Sequence, residues 1–189
     1  SLGYVVLTAD CFGDELGNCW EPAIGAAARQ PLTADRSLLL RRLQCGLDEL
    51  SAHALVDRSR LAALGWCFGG RGVLELARAS PPGLRAVVSF HGILDASPVP
   101  AGVDRIEPRL LLCHGDDDAL VAEEDVSACL AQLRQFGARW LLLRLGGAKH
   151  GFTNPAQRLN PNENFDFDQS AAKASWEAAM SLLREELSG

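Results

Sequence analysis

Three short stretches hold residues that could do chemistry together. The first is Leu64-Gly65-Trp66-Cys67-Phe68-Gly69-Gly70, where an apolar run (61–64) leads into a cysteine and a helix-like run (73–77) follows. A thiol at such a strand-to-helix corner sits at the N-terminus of a helix, which favours its thiolate, and the Phe68 N–H is placed to face an oxyanion developing on an attacked carbonyl. The corner brings positions two residues either side of the nucleophile together, and Gly65 and Gly69 meet that demand for small residues. Taken alone, Cys67 also fits a buried structural cysteine beside a glycine-rich turn, since cysteine is among the most buried residue types. The second stretch is His114-Gly115-Asp116-Asp117-Asp118 and the third is His150-Gly151-Phe152-Thr153-Asn154-Pro155. A nucleophile, then a carboxylate, then a histidine is a chain order that supports acyl transfer. The histidine handles the thiol proton and later activates water, and the carboxylate holds the histidine's tautomer. A divalent-cation site built from His114 and the three aspartates is the competing reading, but consecutive carboxylates point in different directions and no metal site is expected.

The elements that must position these groups follow from periodicity. Residues 4–9 are a β-branched run that reads as a buried strand, and residues 10–30, with glycines and little periodicity, read as a long surface loop holding at most a helical turn. From 34 to 50, Leu39, Leu43, Leu47 and Leu50 recur at helical spacing, with Thr33 or Asp35 to cap the start. Arg36, Arg41 and Arg42 form its solvated face, and His53 is a surface residue of the same helix. Strands are expected at 61–64, 85–90, 109–113 and 139–145. Helices are expected at 70–79, from about 122 to a cap at Gly137, and at 168–187 with Ala172, Trp176, Met180, Leu183 and Leu187 on the buried face. Residues 93–107 and 157–167 read as loops. Strands alternating with amphipathic helices make an α/β fold with a parallel sheet flanked by helices, whose strand carboxyl ends carry Cys67, the aspartate cluster and His150.

Composition narrows the partners. The chain has 189 residues, is 48% hydrophobic and carries a formal net charge of -6, with a mean hydropathy of +0.03. This length suits one domain with a real core, and no apolar run approaches the roughly 18 residues of a membrane span. The acidic balance and scattered arginines offer no basic face for nucleic acid. Six cysteines (Cys11, Cys19, Cys45, Cys67, Cys113 and Cys129) lack CxxC spacing, which reads as reduced, cytoplasmic usage. The chain starts at Ser1 and its one methionine is Met180, so it reads as N-terminally incomplete.

Together, Gly65-Trp66-Cys67-Phe68-Gly69-Gly70, Ser89-Phe90-His91-Gly92, His114-Gly115-Asp116-Asp117-Asp118 and His150-Gly151-Phe152-Thr153-Asn154-Pro155 resemble the dienelactone hydrolase family of α/β-hydrolases over nearly the whole chain. The resemblance implies hydrolysis of a small-molecule carboxylic ester or lactone through a thioester on the cysteine, with no cofactor and no metal. It makes Cys67 the nucleophile, His150 the base and Asp118 the acid, with Asp116 and Asp117 as turn residues and the Phe68 N–H in the oxyanion site. Trp66, His91, Phe152 and Asn154 are the candidate pocket-lining residues. Two departures stand out. Family members begin with further strands, and a loop there carries a second oxyanion donor and an acidic partner of the cysteine; residues 4–9 look like the strand after that loop, so residues 1–189 read as a single domain lacking the N-terminal strands. Dienelactone-type enzymes also place an arginine four residues after the histidine to grip a substrate carboxylate, where this chain has Asn154. The expectation is therefore a Cys-His-Asp ester or lactone hydrolase acting as a monomer or weak homo-oligomer, the alternative being a non-catalytic, thiol-reactive sensor or binding module on the same fold.

Overall fold

The structure, a computed structural model, describes residues 2–13 and 22–188. It divides into two compact units, Ser1–Arg58 and Ser59–Gly189. Cys19 and the part of the expected loop at 14–21 lie outside the described residues.

The first unit holds α1 (Pro22–Ala34) and α2 (Arg36–Ala52). The Asp35 carboxylate caps α2 by accepting from the Leu38 N–H at 3.0 Å, and Leu39, Leu43 and Leu47 form its buried stripe. Two expectations are corrected here. Residues 22–30 are helical rather than loop, because the run Ala23, Ala26, Ala27, Ala28 has high helix propensity and outweighs Gly25. Residues 4–9 form no strand, and Val6 is 80% exposed. β-branched residues favour strands only where a neighbouring ladder and a packed face exist, and within this unit the segment lies against α2, with Ala9 and Leu7 beside Gly46. Arg42 is tied down rather than merely solvated, donating to the carbonyls of Cys11 at 2.6 Å and Phe12 at 3.2 Å.

In the second unit, β1 (Leu61–Trp66), α3 (Phe68–Ala79), β2 (Leu84–Phe90), β3 (Arg109–Gly115), α4 (Glu123–Gln135), β4 (Arg139–Leu145) and α5 (Gln169–Leu187) follow in chain order. The sheet runs β1-β2-β3-β4 with every pairing parallel. β2 and β3 are buried at nearly every position, as expected when helices cover a parallel sheet on both faces. Ala86, Val88, Phe90, Leu111 and Cys113 pack with Ala179, Met180, Leu182 and Leu183 of α5, and residues of the other parity point to the opposite face. α3 packs against β1 and β2.

The buried stripe of α5 is Ala171, Ser175, Ala179, Met180, Leu182 and Leu183, about one residue round from the expected face. Small residues at positions 171, 175 and 179 let the helix approach the sheet closely. Trp176 stays 44% exposed and stacks its ring on Phe90 at 6.4 Å. Residues 92–100 are loop, as expected, but are fixed from below by a buried polar network. Arg78 donates to Glu75 at 2.9 Å, Gln132 at 2.9 Å and the Asp95 carbonyl at 2.8 Å, and Arg71 pairs with the Asp95 carboxylate at 2.7 Å. Among the described residues no helix is long and apolar enough to cross a membrane.

Candidate active site

At the carboxyl end of β1 the chain turns within one residue into α3. Cys67 makes that turn at φ 53°, ψ −117°, a left-handed conformation that non-glycine residues adopt at a cost of about 1–3 kcal/mol. Its N–H donates to the Phe90 carbonyl at 3.1 Å and its carbonyl accepts from the Arg71 N–H, opening the helix. Only one of the two flanking glycines is required by space. A Cβ on Gly65 would overlap the Gly69 carbonyl, whereas one on Gly69 would meet nothing within 4 Å. The expected demand for a small side chain at Gly69 is therefore corrected: its backbone, not its missing side chain, fills the corner. A second contact seats the start of α3, because a Cβ on Gly70 would come within 2.6 Å of the Gly92 Cα just beyond β2.

The other two strand ends are joined to each other. Gly115 abuts the Ala148 carbonyl so closely that a Cβ there would overlap it. The Asp116 N–H donates to the Leu145 carbonyl at 2.9 Å and the Asp117 N–H to the Ala148 carbonyl at 3.1 Å. This lacing lines up Asp118 with His150. The Asp118 Oδ1 accepts from the Leu120 N–H at 3.0 Å, which leaves Oδ2 to accept from His150 Nδ1 at 2.8 Å. His150 is held through its own backbone, donating to the Asn164 carbonyl and accepting from the Asp166 N–H, with the Phe165 ring edge-on at 5.2 Å. Its Nε2 lies 3.0 Å from Cys67 Sγ. Asp116 faces Arg144 at 3.5 Å instead.

Charge follows from these contacts. Burial pulls the His150 pKa down, but the hydrogen bonds to Asp118 and Cys67 and their negative charges more than offset it, raising it to about 9. At neutral pH His150 is thus an imidazolium facing the Cys67 sulfur. His91, with its ring centroid 5.2 Å away, is pushed the other way to about 4 by burial and by the charge of His150. Burial also raises the other inner thiols, Cys113 to about 12 and Cys129 upward.

A cavity of about 270 Å³ opens over Cys67, His91 and His150. Trp66 and Phe165 supply its apolar lining, and Thr153, Asn154 and Gln157 its further polar lining. Trp66 stacks flat on Phe90 at 4.9 Å, which holds its ring in place. Among the described residues no group of histidine, cysteine or carboxylate side chains is arranged to hold a metal ion.

The family model of the dienelactone hydrolase family matches residues 1–187. The chain belongs to the dienelactone hydrolase family. Solved relatives include a dienelactone hydrolase-like promiscuous phosphotriesterase from metagenomic libraries, 38% identical, with a TM-score of 0.87 over 95% of this chain and 73% of that one. A protein called m3DLH is 34% identical, with a TM-score of 0.87 over 96% and 74% of the two chains. An uncharacterised protein of Caenorhabditis elegans is 33% identical over 82% of this chain and 98% of its own length. A probable 2-oxo-3-(5-oxofuran-2-ylidene)propanoate lactonase of Bradyrhizobium sp. is 27% identical over 99% and 75%. As a dienelactone hydrolase family member the protein is a hydrolase.

In this family member Cys67, Asp118 and His150 stand together, and Trp66, His91 and Asn154 line the cavity. Phe152 does not. It is fully buried in the core cluster and meets His91 edge-on at 5.1 Å, because Gly151 at φ 76° turns the chain inward immediately after His150. Thr153, Gln157 and Phe165, which periodicity does not mark, complete the lining. Phe165 reaches the site only through an isolated parallel bridge with His150, and a fifteen-residue separation carries no periodic signal. Gly115, a glycine just before a turn, was the readable sign of a close backbone approach.

Proposed function

We propose that this dienelactone hydrolase family member cleaves a carboxylic ester or lactone through a Cys67-His150-Asp118 triad and a thioester intermediate. The observation that carries the reading is the unbroken chain of contacts, 2.8 Å from Asp118 Oδ2 to His150 Nδ1 and 3.0 Å from His150 Nε2 to Cys67 Sγ. The Cys67 thiolate attacks the substrate carbonyl, and the oxyanion forms next to the Phe68 N–H at the start of α3, where the macrodipole favours negative charge. The tetrahedral intermediate collapses to a thioester as His150 Nε2–H protonates the departing alkoxide, which for a lactone stays tethered as a hydroxyl. Neutral His150 then takes a proton from water, the hydroxide adds to the thioester, and the thiolate leaves beside the re-formed imidazolium. Asp118 accepts from Nδ1–H throughout and fixes which nitrogen faces the sulfur. The lactonase named among the relatives supports a lactone as one substrate class. The lack of CxxC spacing among the six cysteines supports the cytoplasm as its compartment.

Intact-protein mass spectrometry during turnover of 4-nitrophenyl acetate tests the proposal. A transient acetyl adduct mapping to Cys67, with the nitrophenolate burst lost in Cys67→Ala, is expected. An undiminished burst in Cys67→Ala, or an adduct on another residue, would overturn it.

A further inference from the structure

The polar lining of the cavity has a direction. His91 Nδ1 is buried with no hydrogen-bond partner, while His91 Nε2 lies 2.8 Å from Thr153 Oγ1. The His91 ring also feels its own backbone, but Nδ1 makes no contact of hydrogen-bond geometry there; a buried N–H so placed is costlier than a lone pair without a donor, so the proton sits on Nε2 and is donated to Thr153. The Thr153 oxygen is then the acceptor, and its own hydroxyl proton remains for the cavity. Asn154 and Gln157 follow the same pattern. The Asn154 Oδ1 accepts from the Ala156 N–H at 3.0 Å, which fixes its amide orientation and leaves Nδ2 as the outward group. For Gln157 the orientation is set one step away. Asn160 Oδ1 accepts from the Asn162 N–H at 3.0 Å, so Asn160 Nδ2 must donate to Gln157 Oε1, at 2.7 Å, and Gln157 Nε2 is left over. Among the described residues none of these three donors has a protein acceptor, and no lysine or arginine is among the cavity-lining residues.

From this geometry we infer that Thr153, Asn154 and Gln157 form a wall of uncharged donors that selects substrates with a second, uncharged carbonyl-type oxygen away from the bond being cleaved. The inference rests on the hydrolytic reading of Cys67. Each neutral hydrogen bond offers about 0.5–1.5 kcal/mol. A carboxylate would lose its hydration against donors that carry no compensating charge. A purely hydrocarbon substrate would leave the three donors unmatched. Selection therefore lies in the pattern of donors, with Thr153 oriented from behind by His91.

Three activated esters of similar length test this: 4-nitrophenyl methyl adipate, 4-nitrophenyl heptanoate and 4-nitrophenyl hydrogen adipate. The expected order of kcat/KM is methyl adipate, then heptanoate, then hydrogen adipate. In Thr153→Val the ratio of methyl adipate to heptanoate should fall about three- to tenfold, with Thr153→Ser restoring it. A preference for hydrogen adipate, or a ratio unchanged in Thr153→Val, would overturn the wall. Binding is read without turnover by protection of Cys67 from iodoacetamide. Dimethyl adipate should protect the wild type better than it protects Thr153→Val. Loss of that difference refutes the wall even if all three esters are cleaved, whereas protection without any cleavage refutes the hydrolytic reading and leaves the wall standing.

Discussion

Two histidines with ring centroids 5.2 Å apart live in opposite electrostatic surroundings. His150 meets a carboxylate through one nitrogen and a thiol through the other, so it holds its proton up to about pH 9. His91 meets a hydroxyl through one nitrogen and no charged partner through the other, so burial and the neighbouring charge keep it neutral down to about pH 4. Depth does not separate them, because both rings are buried. What separates them is whether a negative partner was buried alongside, and the difference suits the proposed roles, one ring moving protons and the other orienting a neighbour.

The contrast breaks most sharply on substitution to glutamine. His150→Gln should lower kcat by about 10⁴-fold or more, since no other group can protonate the leaving alkoxide and then activate water. Steady-state ester hydrolysis measures the loss, and a residual rate within tenfold of wild type would remove His150 from the mechanism.

Taking away the negative partner should move His150 toward His91. Asp118→Asn is expected to cost about 10²- to 10⁴-fold in kcat. It should also draw the alkaline limb of the kcat/KM profile down from near pH 9, because that limb records loss of the imidazolium proton. Asp116→Asn and Asp117→Asn should keep the limb in place. A larger loss at Asp116 would mean that the turn presents a different carboxylate.

The smallest effect concerns stability. The folded-state pKa of His91 lies below its ordinary value, so the unfolded chain takes up the proton first as pH falls. Its contribution is complete above about pH 6.5 and is lost down to about pH 4, a change of roughly 3 kcal/mol. His150 has the mirror window, its contribution being complete below about pH 6.5 and lost as pH rises through about 9. Urea unfolding at pH 7 and pH 4.5 should show the acid-side loss in the wild type and a shallower one in His91→Gln. An identical slope in both would show that His91 is not the group titrating.

These differences explain what could be read before any coordinates. The strand ends that carry Cys67, Asp118 and His150 were legible, because each follows an apolar run and the turn residues after it are chemically distinctive. The helices were legible where leucines recur, as in α2, and less so where alanine and serine make the contact, as on the inner face of α5. Residues 4–9 misled because β-branching reports a preference that only a neighbouring strand can satisfy. Phe152 misled because one positive φ at Gly151 sends the next side chain into the core, and sequence spacing does not record that sign. The donor wall was not legible at all. It depends on which amide oxygen is already occupied, as Asn160 decides for Gln157.

Gly115 carries no functional group, touches no substrate and contributes nothing to proton transfer. Yet the space its missing side chain leaves is occupied by the Ala148 carbonyl, and that contact holds the acid's turn against the loop that delivers the histidine. The alignment of the proposed triad is thus inherited partly through an empty volume. A survey of natural variants that weighed only Cys67, Asp118 and His150 would pass over the position best placed to pull two of them apart.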